Sequence, residues 1–322
     1  MMWRSLDEVS AGFGPCALTI GNFDGVHLAH QHIMRRVVKI SRENGWKSAV
    51  LTFDPHPATL VAPERAPKLL TNLDQRCELI QDQGIDHILI LPFTEEIAKL
   101  APAEFVLRIL VDKMRARSVL VGDNFRFGNR AAGDVKLLRS LGEKYGFRTE
   151  VVHAVELRHR IISSTEIRQL IEAGTVSVAC RLLGRPYSLE GIVVRGHGIG
   201  SKQTVPTLNL RTPAAVLPSR GVYITRTHDR SGLREWPSIT NVGYRPTFGG
   251  TDELSIETFL LAPLDGETPE EIRIDFLRWV RAERKFDSPE ALKTQILHDV
   301  GRAQAYFRRR GKCSPAAVRI PR

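Results

Sequence analysis

The sequence lacks the features of a disulfide-bonded, zinc-binding or membrane-spanning protein. Its four cysteines, Cys16, Cys77, Cys180 and Cys313, are scattered without a Cys-x-x-Cys pair, so reduced thiols are expected rather than disulfides or a zinc site. No apolar run approaches the length that crosses a membrane, and the first residues contain no apolar signal core. We therefore expect a cytoplasmic protein that makes no membrane contact.

The composition is that of a globular protein with a basic bias. The 322 residues are enough for two domains, each with its own core, and 42% of them are hydrophobic. A net charge of +10 suits either a nucleic acid or polyphosphate ligands. Residues 1–184 carry 24 Lys and Arg against 21 Asp and Glu, whereas residues 185–322 carry 22 against 15. No run interleaves aromatic and basic residues on a β face, so we expect no nucleic-acid partner.

Residues 1–184 alternate between apolar, β-branched runs and helical patterns. The predicted strands are 17–20, 49–53, 88–91, 118–121 and 149–152. This alternation predicts an α/β domain with a parallel, doubly wound sheet. Ligands of such sheets bind beyond the carboxyl ends of the strands, so the residues after each strand are the candidates for a site.

The segment after the first strand is a glycine turn that leads into a helical pattern opening at His30. Such a turn gathers backbone N–H groups and the positive end of a helix dipole at one point, which favours a phosphate. His27 and His30, three residues apart in the first helical turn, would donate hydrogen bonds to charge that develops on that phosphate. The alternative is that both are ordinary helix-start residues. The ligand-binding candidates of the turn are Gly21, Asn22, Phe23, Asp24 and Gly25.

Two further loops follow predicted strands. Asp54-Pro-His-Pro57 holds His56 between two prolines, which makes either a plain rigid loop or one wall of a cleft. Gly122-Asp-Asn-Phe-Arg-Phe-Gly128 suits a loop that closes over a purine or a flavin. One of its two aromatic residues, Phe125 and Phe127, is expected to lie in the core instead.

The segment Ile162-Ser-Ser-Thr-Glu-Ile-Arg168 contains a capping box and therefore predicts a helix start. It sets Ser164 and Thr165 at a second helix N-terminus, with Arg168 one turn along. A capping box is common at the start of helices, so by itself it does not indicate a binding site. Two hydroxyls and a cation at the same sheet edge as the histidines could bind a triphosphate.

Together these four segments resemble the adenylyltransferase half of bacterial bifunctional riboflavin kinase/FMN adenylyltransferase (FAD synthetase). The resemblance implies a Rossmann-like nucleotidyltransferase domain over 1–184. The catalytic residues that it implies there are His27, His30, Ser164, Thr165 and Arg168. It also implies that Asn124 contacts the nucleotide and that His56 and Pro57 lie against the flavin. Ala29 stands where the family usually has Gly.

From residue 185 onwards the pattern changes to short strand-like runs with glycine and proline between them. This predicts a β-rich domain, a small antiparallel barrel, followed by a helix that starts at Pro289. The glycine loop of 196–209 matches neither the P-loop nor the dinucleotide fingerprint, so it is either a hairpin or a cover for a magnesium–nucleotide. Thr207 and Asn209 would share one face of a strand, and their oxygens are ligands that Mg²⁺ accepts.

The loop and the segments 206–209, 221–223, 241–247 and 285–288 resemble the riboflavin kinase half of the same family. The resemblance implies Thr207 and Asn209 as the Mg²⁺ ligands and Glu257 as the catalytic carboxylate, which would otherwise be interpreted as a strand residue facing water. The nucleotide-binding residues that it implies in the loop are Gly196, Gly200 and Lys202. Three residues, Ser201, Thr204 and Leu208, depart from the family pattern in or beside this loop.

The resemblance implies two successive reactions with ATP, riboflavin, FMN and FAD as substrates and products. Glu257 would accept the proton of the riboflavin 5′-hydroxyl as it attacks the γ-phosphate of ATP, and the FMN formed would attack the α-phosphate of a second ATP. The rival functions are a nucleotidyltransferase for a pantetheine or nicotinamide cofactor, which the kinase-like half disfavours, and an RNA-binding module. The expected domains are 1–184 and 185–322, and the sequence leaves the oligomeric state open.

Overall fold

The computed structural model describes residues 1–194, 207–213, 215–246, 252–264 and 266–311. The chain forms two compact units, Met1–Ser164 and Thr165–Arg322. The domain boundary after residue 184 stays a prediction. The loop residues Gly196, Gly200, Ser201, Lys202 and Thr204 lie outside the described residues.

The first unit is built on a parallel sheet of six strands in the order β1-β4-β3-β2-β5-β6. The strands are β1 (Met2–Trp3), β2 (Cys16–Ile20), β3 (Lys47–Asp54), β4 (His87–Pro92), β5 (Ala116–Gly122) and β6 (Arg148–Val152). Every neighbouring pair is parallel, which confirms the predicted sheet. The chain leaves β2 for β3 and β4 on one side and returns to β5 on the other. The carboxyl ends of β2 and β5 therefore border the crevice that binds ligands in such sheets.

Helices cover both faces of this sheet. They are α1 (Leu28–Asn44), α2 (Ala58–Val61), α3 (Leu73–Gln81), α4 (Glu95–Lys99), α5 (Pro102–Phe105), which continues as the π-helical segment Val106–Lys113, and α6 (Val135–Tyr145). Two short strands, β7 (Glu156–Leu157) and β8 (Arg160–Ile161), form a separate antiparallel hairpin. Within the described residues no helix combines the length and the apolar character that a membrane span requires.

Neighbouring residues of a strand point to opposite faces, so each face of the sheet has its own core. In β3, Leu51 packs with the π-helical segment and α6, whereas Val50 packs with α1 and α3. Phe127 is buried in the first of these cores, and Phe125 is only partly buried beside it. The expectation that one of these two rings is a core residue is confirmed.

The second unit contains a closed antiparallel barrel in the order β10-β13-β12-β11-β14-β9. Its strands are β9 (Tyr187–Val194), β10 (Thr207–Arg211), β11 (Gly221–Asp229), β12 (Glu235–Pro246), β13 (Asp252–Leu260) and β14 (Glu271–Ala282). Helices α7 (Ser164–Glu172) and α8 (Val176–Leu183) precede the barrel, and α9 (Pro289–Gly311) follows it. Ala303 of α9 packs on Val222, Ile239 and Val280 of the barrel. The predicted barrel and terminal helix are thus confirmed.

Candidate active sites

The turn after β2 is sharp because several residues adopt left-handed backbone conformations. Phe23, Gly25 and Val26 have φ values of 50°, 79° and 37°. Phe23 is buried, and its ring lies edge-on to the ring of His30 at 5.1 Å. The Phe23 side chain therefore packs beneath the turn and contacts the His30 ring.

His27 is the N-cap of α1, so the helix begins at Leu28 rather than at His30. Its Nδ1 accepts a hydrogen bond from the backbone N–H of His30 at 3.3 Å. Because Nδ1 is an acceptor, the neutral imidazole carries its proton on Nε2. The expectation that both histidines lie in the first helical turn is therefore wrong for His27, and Nε2 is the atom through which this ring can donate.

The His27 and His30 rings are stacked, with centroids 3.6 Å apart and planes inclined by 17°. Burial lowers the pKa of His30 well below its usual value, and positive charge on His27 would lower it further. Nδ1 of His30 is buried without a hydrogen-bond partner among the described residues. A buried polar atom left unpaired is unusual away from functional sites. The pair is thus a candidate for stabilising an anion.

Asp24 turns inward from the same turn and ties it to the segment before α3. Its carboxylate accepts hydrogen bonds from the backbone N–H groups of Leu70 at 2.9 Å and Thr71 at 3.1 Å. The Thr71 hydroxyl accepts from Gly25 N–H at 3.1 Å. Ser164 Oγ donates to the Asp24 carbonyl at 2.9 Å, so Ser164 and the turn are together as predicted. Thr165 and Arg168 belong to the second unit, and their meeting with the histidines stays a prediction.

Asn22 and His56 join the loops that follow β2 and β3. Asn22 Nδ2 lies 3.0 Å from His56 Nε2, and His56 Nδ1 accepts from the backbone N–H of Ala58 at 3.2 Å. Pro57 precedes the short helix α2. Asn124 is exposed at the carboxyl end of β5. The loops that the sequence singled out therefore lie along one edge of the sheet.

Arg76 is a site residue that the sequence motifs did not predict. This residue is 2% exposed, and its Nη1 donates to the Asn22 carbonyl at 2.9 Å. The available signal was its position on the apolar stripe of α3, between Leu73 and Ile80, where a charged residue is unexpected.

In the second unit, the strand register brings three polar residues into one row. Asn209 of β10 pairs with Glu257 of β13, which pairs on its other side with Asn241 of β12. Residues paired in this way have side chains on the same face. Thr207, two residues before Asn209, shares that face.

The direction of this row is fixed by its neighbours along the strands. Thr240 and Thr258 are fully buried and hydrogen-bonded to each other at 2.8 Å. Since alternate residues point to opposite faces, Asn241 and Glu257 point away from this buried pair. They line a cavity of about 240 Å³ between the barrel and α9. Ser255 Oγ donates to Glu257 Oε1 at 2.9 Å.

The cavity has an apolar wall and a charged edge. The apolar and aromatic lining residues are Val222, Ile239, Phe259, Phe286, Leu292, Ile296 and Val300. At the edge, Arg281 Nε donates to Asp299 Oδ2 at 2.8 Å, and the buried Asp299 also accepts from Gln295 at 2.8 Å. The guanidinium groups of Arg281 and Arg284 lie 5.7 and 4.8 Å from the Phe286 ring centroid. A flat ring with a polar tail fits such a site.

The metal-ligand prediction agrees with the donor chemistry of this row. Among the described residues no group of three or more His, Cys, Asp or Glu could hold a metal ion. Thr207 and Asn209 instead offer a hydroxyl and an amide oxygen beside the Glu257 carboxylate. This small set of oxygen donors fits Mg²⁺, which takes most of its remaining ligands from phosphates and water.

Comparison with known proteins identifies relatives of both halves. The FAD synthetase family model matches residues 11–166, and the riboflavin kinase model matches residues 183–307. A bifunctional riboflavin kinase/FMN adenylyltransferase of Pseudomonas fluorescens is 37% identical over 302 residues, 94% of this chain and 96% of that protein. The protein of the same name from Escherichia coli K12 is 33% identical over 292 residues, 91% and 93% of the two chains.

A solved structure matches nearly the whole chain. The crystal structure of a protein named macrolide-efflux protein, from Streptococcus pneumoniae, has a TM-score of 0.84 at 26% identity and covers 94% of this chain and 98% of that one. Its name refers to transport, whereas both family models and both relatives name flavin enzymes. The structural match therefore bears on the fold, and the family models bear on the activity.

Proposed function

Because the chain belongs to the bifunctional riboflavin kinase/FMN adenylyltransferase family, we propose that its barrel phosphorylates riboflavin and its parallel sheet adenylylates FMN. The chain makes flavin cofactors in two steps, with ATP as co-substrate of each. The observation that carries the assignment of the kinase site is the row of Asn209, Glu257 and Asn241, of which Glu257 and Asn241 line a largely apolar cavity.

In the kinase step, the isoalloxazine ring occupies the cavity beneath α9 and the ribityl chain leads its 5′-hydroxyl to Glu257. The carboxylate accepts the hydroxyl proton as the oxygen attacks the γ-phosphorus of ATP, the bond from the γ-phosphorus to the bridging oxygen breaks, and ADP leaves. Thr207 and Asn209 would hold Mg²⁺, which neutralises phosphate charge when bound. Ser255 orients the carboxylate by donating to Oε1. Gly196, Gly200 and Lys202 are expected to contact the nucleotide.

In the adenylyl transfer, the FMN phosphate attacks the α-phosphorus of ATP and pyrophosphate leaves. This nucleophile is already anionic, so the site needs alignment and charge stabilisation rather than a base. Nε2–H of His27 donates to the phosphates, and His30 supports it as the stacked neighbour. Ser164, Thr165 and Arg168 complete the phosphate site, with Asn124 at the nucleotide and His56 and Pro57 at the flavin.

His27→Asn tests the adenylyltransferase assignment while keeping the helix cap, because Asn is a good N-cap residue. We expect FAD formation from FMN to fall about 100-fold or more, since one donor to the developing charge is lost. FMN formation from riboflavin should not change. Separation of the flavins after incubation with ATP and Mg²⁺ measures both rates.

Glu257→Gln is the reciprocal test for the barrel. We expect FMN formation to fall about 100-fold or more, because the amide cannot accept the hydroxyl proton. Supplied FMN should still be converted to FAD at the wild-type rate. A folded variant at either position that loses both activities would contradict the two-site assignment.

We also infer that the enzyme works in the cytoplasm, where Cys16, Cys77 and Cys180 would stay as free thiols. The excess of positive charge is assigned to polyphosphate substrates rather than to RNA. The RNA-binding alternative would be favoured if the chain turned over no ATP and bound RNA with an affinity that falls steeply as the salt concentration rises.

A further inference from the structure

Arg76 lies beneath two loops of the adenylyltransferase site. Its side chain is among the largest fully buried side chains of the described residues. A guanidinium stays protonated in proteins, so a buried arginine is rare unless it is paired. Its partners therefore indicate what it does.

The Arg76 guanidinium connects the turn after β2 with the end of β3. Nη1 donates to the Asn22 carbonyl at 2.9 Å, and Nη2 lies 3.7 Å from Asp54 Oδ1. The Thr52 hydroxyl donates to the same Asn22 carbonyl at 3.2 Å. The Asn22 side chain meets His56, two residues after Asp54. These contacts therefore link the turn after β2 to the loop after β3.

Two carboxylates act on this buried cation. Burial lowers the pKa of Arg76, and the negative charges of Asp24 and Asp54 oppose that effect. Asp24 is 3% exposed and belongs to the turn expected to receive phosphate. A turn with a buried carboxylate and no cation beneath it would repel an anionic ligand. Nε of Arg76 is buried without a hydrogen-bond partner in the described part of the chain, so one N–H donor of this guanidinium has no acceptor there.

We propose that Arg76 is a positioning residue for adenylyl transfer. It holds the turn after β2 against the Asp54–Pro57 loop, and its positive charge offsets the negative charge of Asp24 and Asp54 beneath the phosphates of ATP and FMN. The inference rests on the proposed function of the first unit. Arg76 acts through Asn22 and through its charge, without touching the reacting atoms.

The test is the steady-state rate of FAD formation from FMN and ATP by full-length Arg76→Met and Arg76→Lys. We expect Arg76→Met to raise KM for both substrates about tenfold or more with a smaller change in kcat, since the loops shift and the carboxylates become uncompensated. Arg76→Lys keeps the charge but not the two-pronged contact, so it should recover part of the loss. Thermal unfolding of the same preparations, followed by circular dichroism, reports whether the first unit is folded, and their riboflavin kinase rate reports the amount of folded barrel. Arg108→Met, at an exposed arginine paired with Glu104, is the matched control.

A double variant separates the charge effect from a purely structural one. Arg76→Met with Asp54→Asn removes one uncompensated carboxylate, and its KM values should fall below those of Arg76→Met alone. A structural role predicts no such recovery, because a second change at the same contact repairs nothing. If Arg76→Met does not fold, Arg76→Gln with and without Asp54→Asn gives the same comparison, because Gln also removes the positive charge.

Two results would overturn the inference: unchanged KM values in Arg76→Met, or no recovery in the double variant. His27→Asn, measured alongside, distinguishes this failure from a failure of the proposed function. If His27→Asn lowers FAD formation and the Arg76 variants do not, only the role of Arg76 is wrong. If neither has an effect, the site itself is misassigned and the inference falls with it.

Discussion

His30 illustrates at the residue scale how the fold sets a protonation state. Burial and the stacked His27 hold the pKa of His30 well below its usual value, so the folded chain keeps the ring neutral. The unfolded chain takes up a proton at about pH 6.5. Between these two pKa values the unfolded state binds more protons, so stability falls as the pH drops below about 6.5.

His30→Asn removes this proton uptake. We expect its melting temperature to fall less than that of the wild type between about pH 7.5 and 5.5, by about 2 °C or more. Thermal unfolding followed by circular dichroism at the two pH values measures the difference. His153→Asn, at a side chain that is 89% exposed, should retain the wild-type pH dependence. Equal losses in His30→Asn and the wild type would show that His30 does not titrate as described.

Single residues also show which features of the site depend on contacts between distant segments. The motif around the first turn pointed to the correct loop, but not to the direction of each side chain. Asp24 faces Leu70 and Thr71, which are distant in the chain, and Arg76 is buried because its partners come from two other loops. Contacts of this kind depend on the assembled sheet, and no local spacing predicts them.

At the scale of elements, α9 forms one wall of the cavity that Asn241 and Glu257 line, and Asp299 joins α9 to β14 through an ion pair with Arg281. Asp299 is 2% exposed and accepts from Arg281 of the barrel and Gln295 of its own helix. Neutralising one member of a buried ion pair leaves the other charge uncompensated, which is costly. The helix and Phe286 would then lose their fixed position over the cavity.

Asp299→Asn should raise the KM for riboflavin about tenfold, because the cavity wall proposed to face the flavin loosens. FAD formation from supplied FMN should be unaffected. Initial kinase rates over a range of riboflavin concentrations test this, with the exposed Glu290→Gln in the same helix as the control. An unchanged KM for riboflavin in Asp299→Asn would mean that the ion pair does not shape the cavity.

Elements differ in how far the sequence predicted them. Five parallel strands followed from β-branched runs, because strands covered on both faces are almost continuously apolar. The two-residue β1 has no such run and forms only by pairing with β4. The start of α1 was misplaced because His27, which is not a common capping residue, caps the helix.

At the scale of the whole molecule, the chain joins two catalysts whose chemistry is consecutive. FMN is the product of the barrel and the substrate of the parallel sheet. Each unit has its own hydrophobic cores, one on each side of the sheet and one beneath α9. A substitution in one site should therefore leave the other reaction intact.

The decisive measurement of this independence is complementation between two single variants. His27→Asn and Glu257→Gln are incubated separately and together with riboflavin, ATP and Mg²⁺, and the flavins are separated over time. We expect FMN but little FAD from His27→Asn, neither product from Glu257→Gln, and FAD from the mixture. A mixture that forms no FAD, although each variant retains its remaining activity, would contradict two independent sites that exchange free FMN.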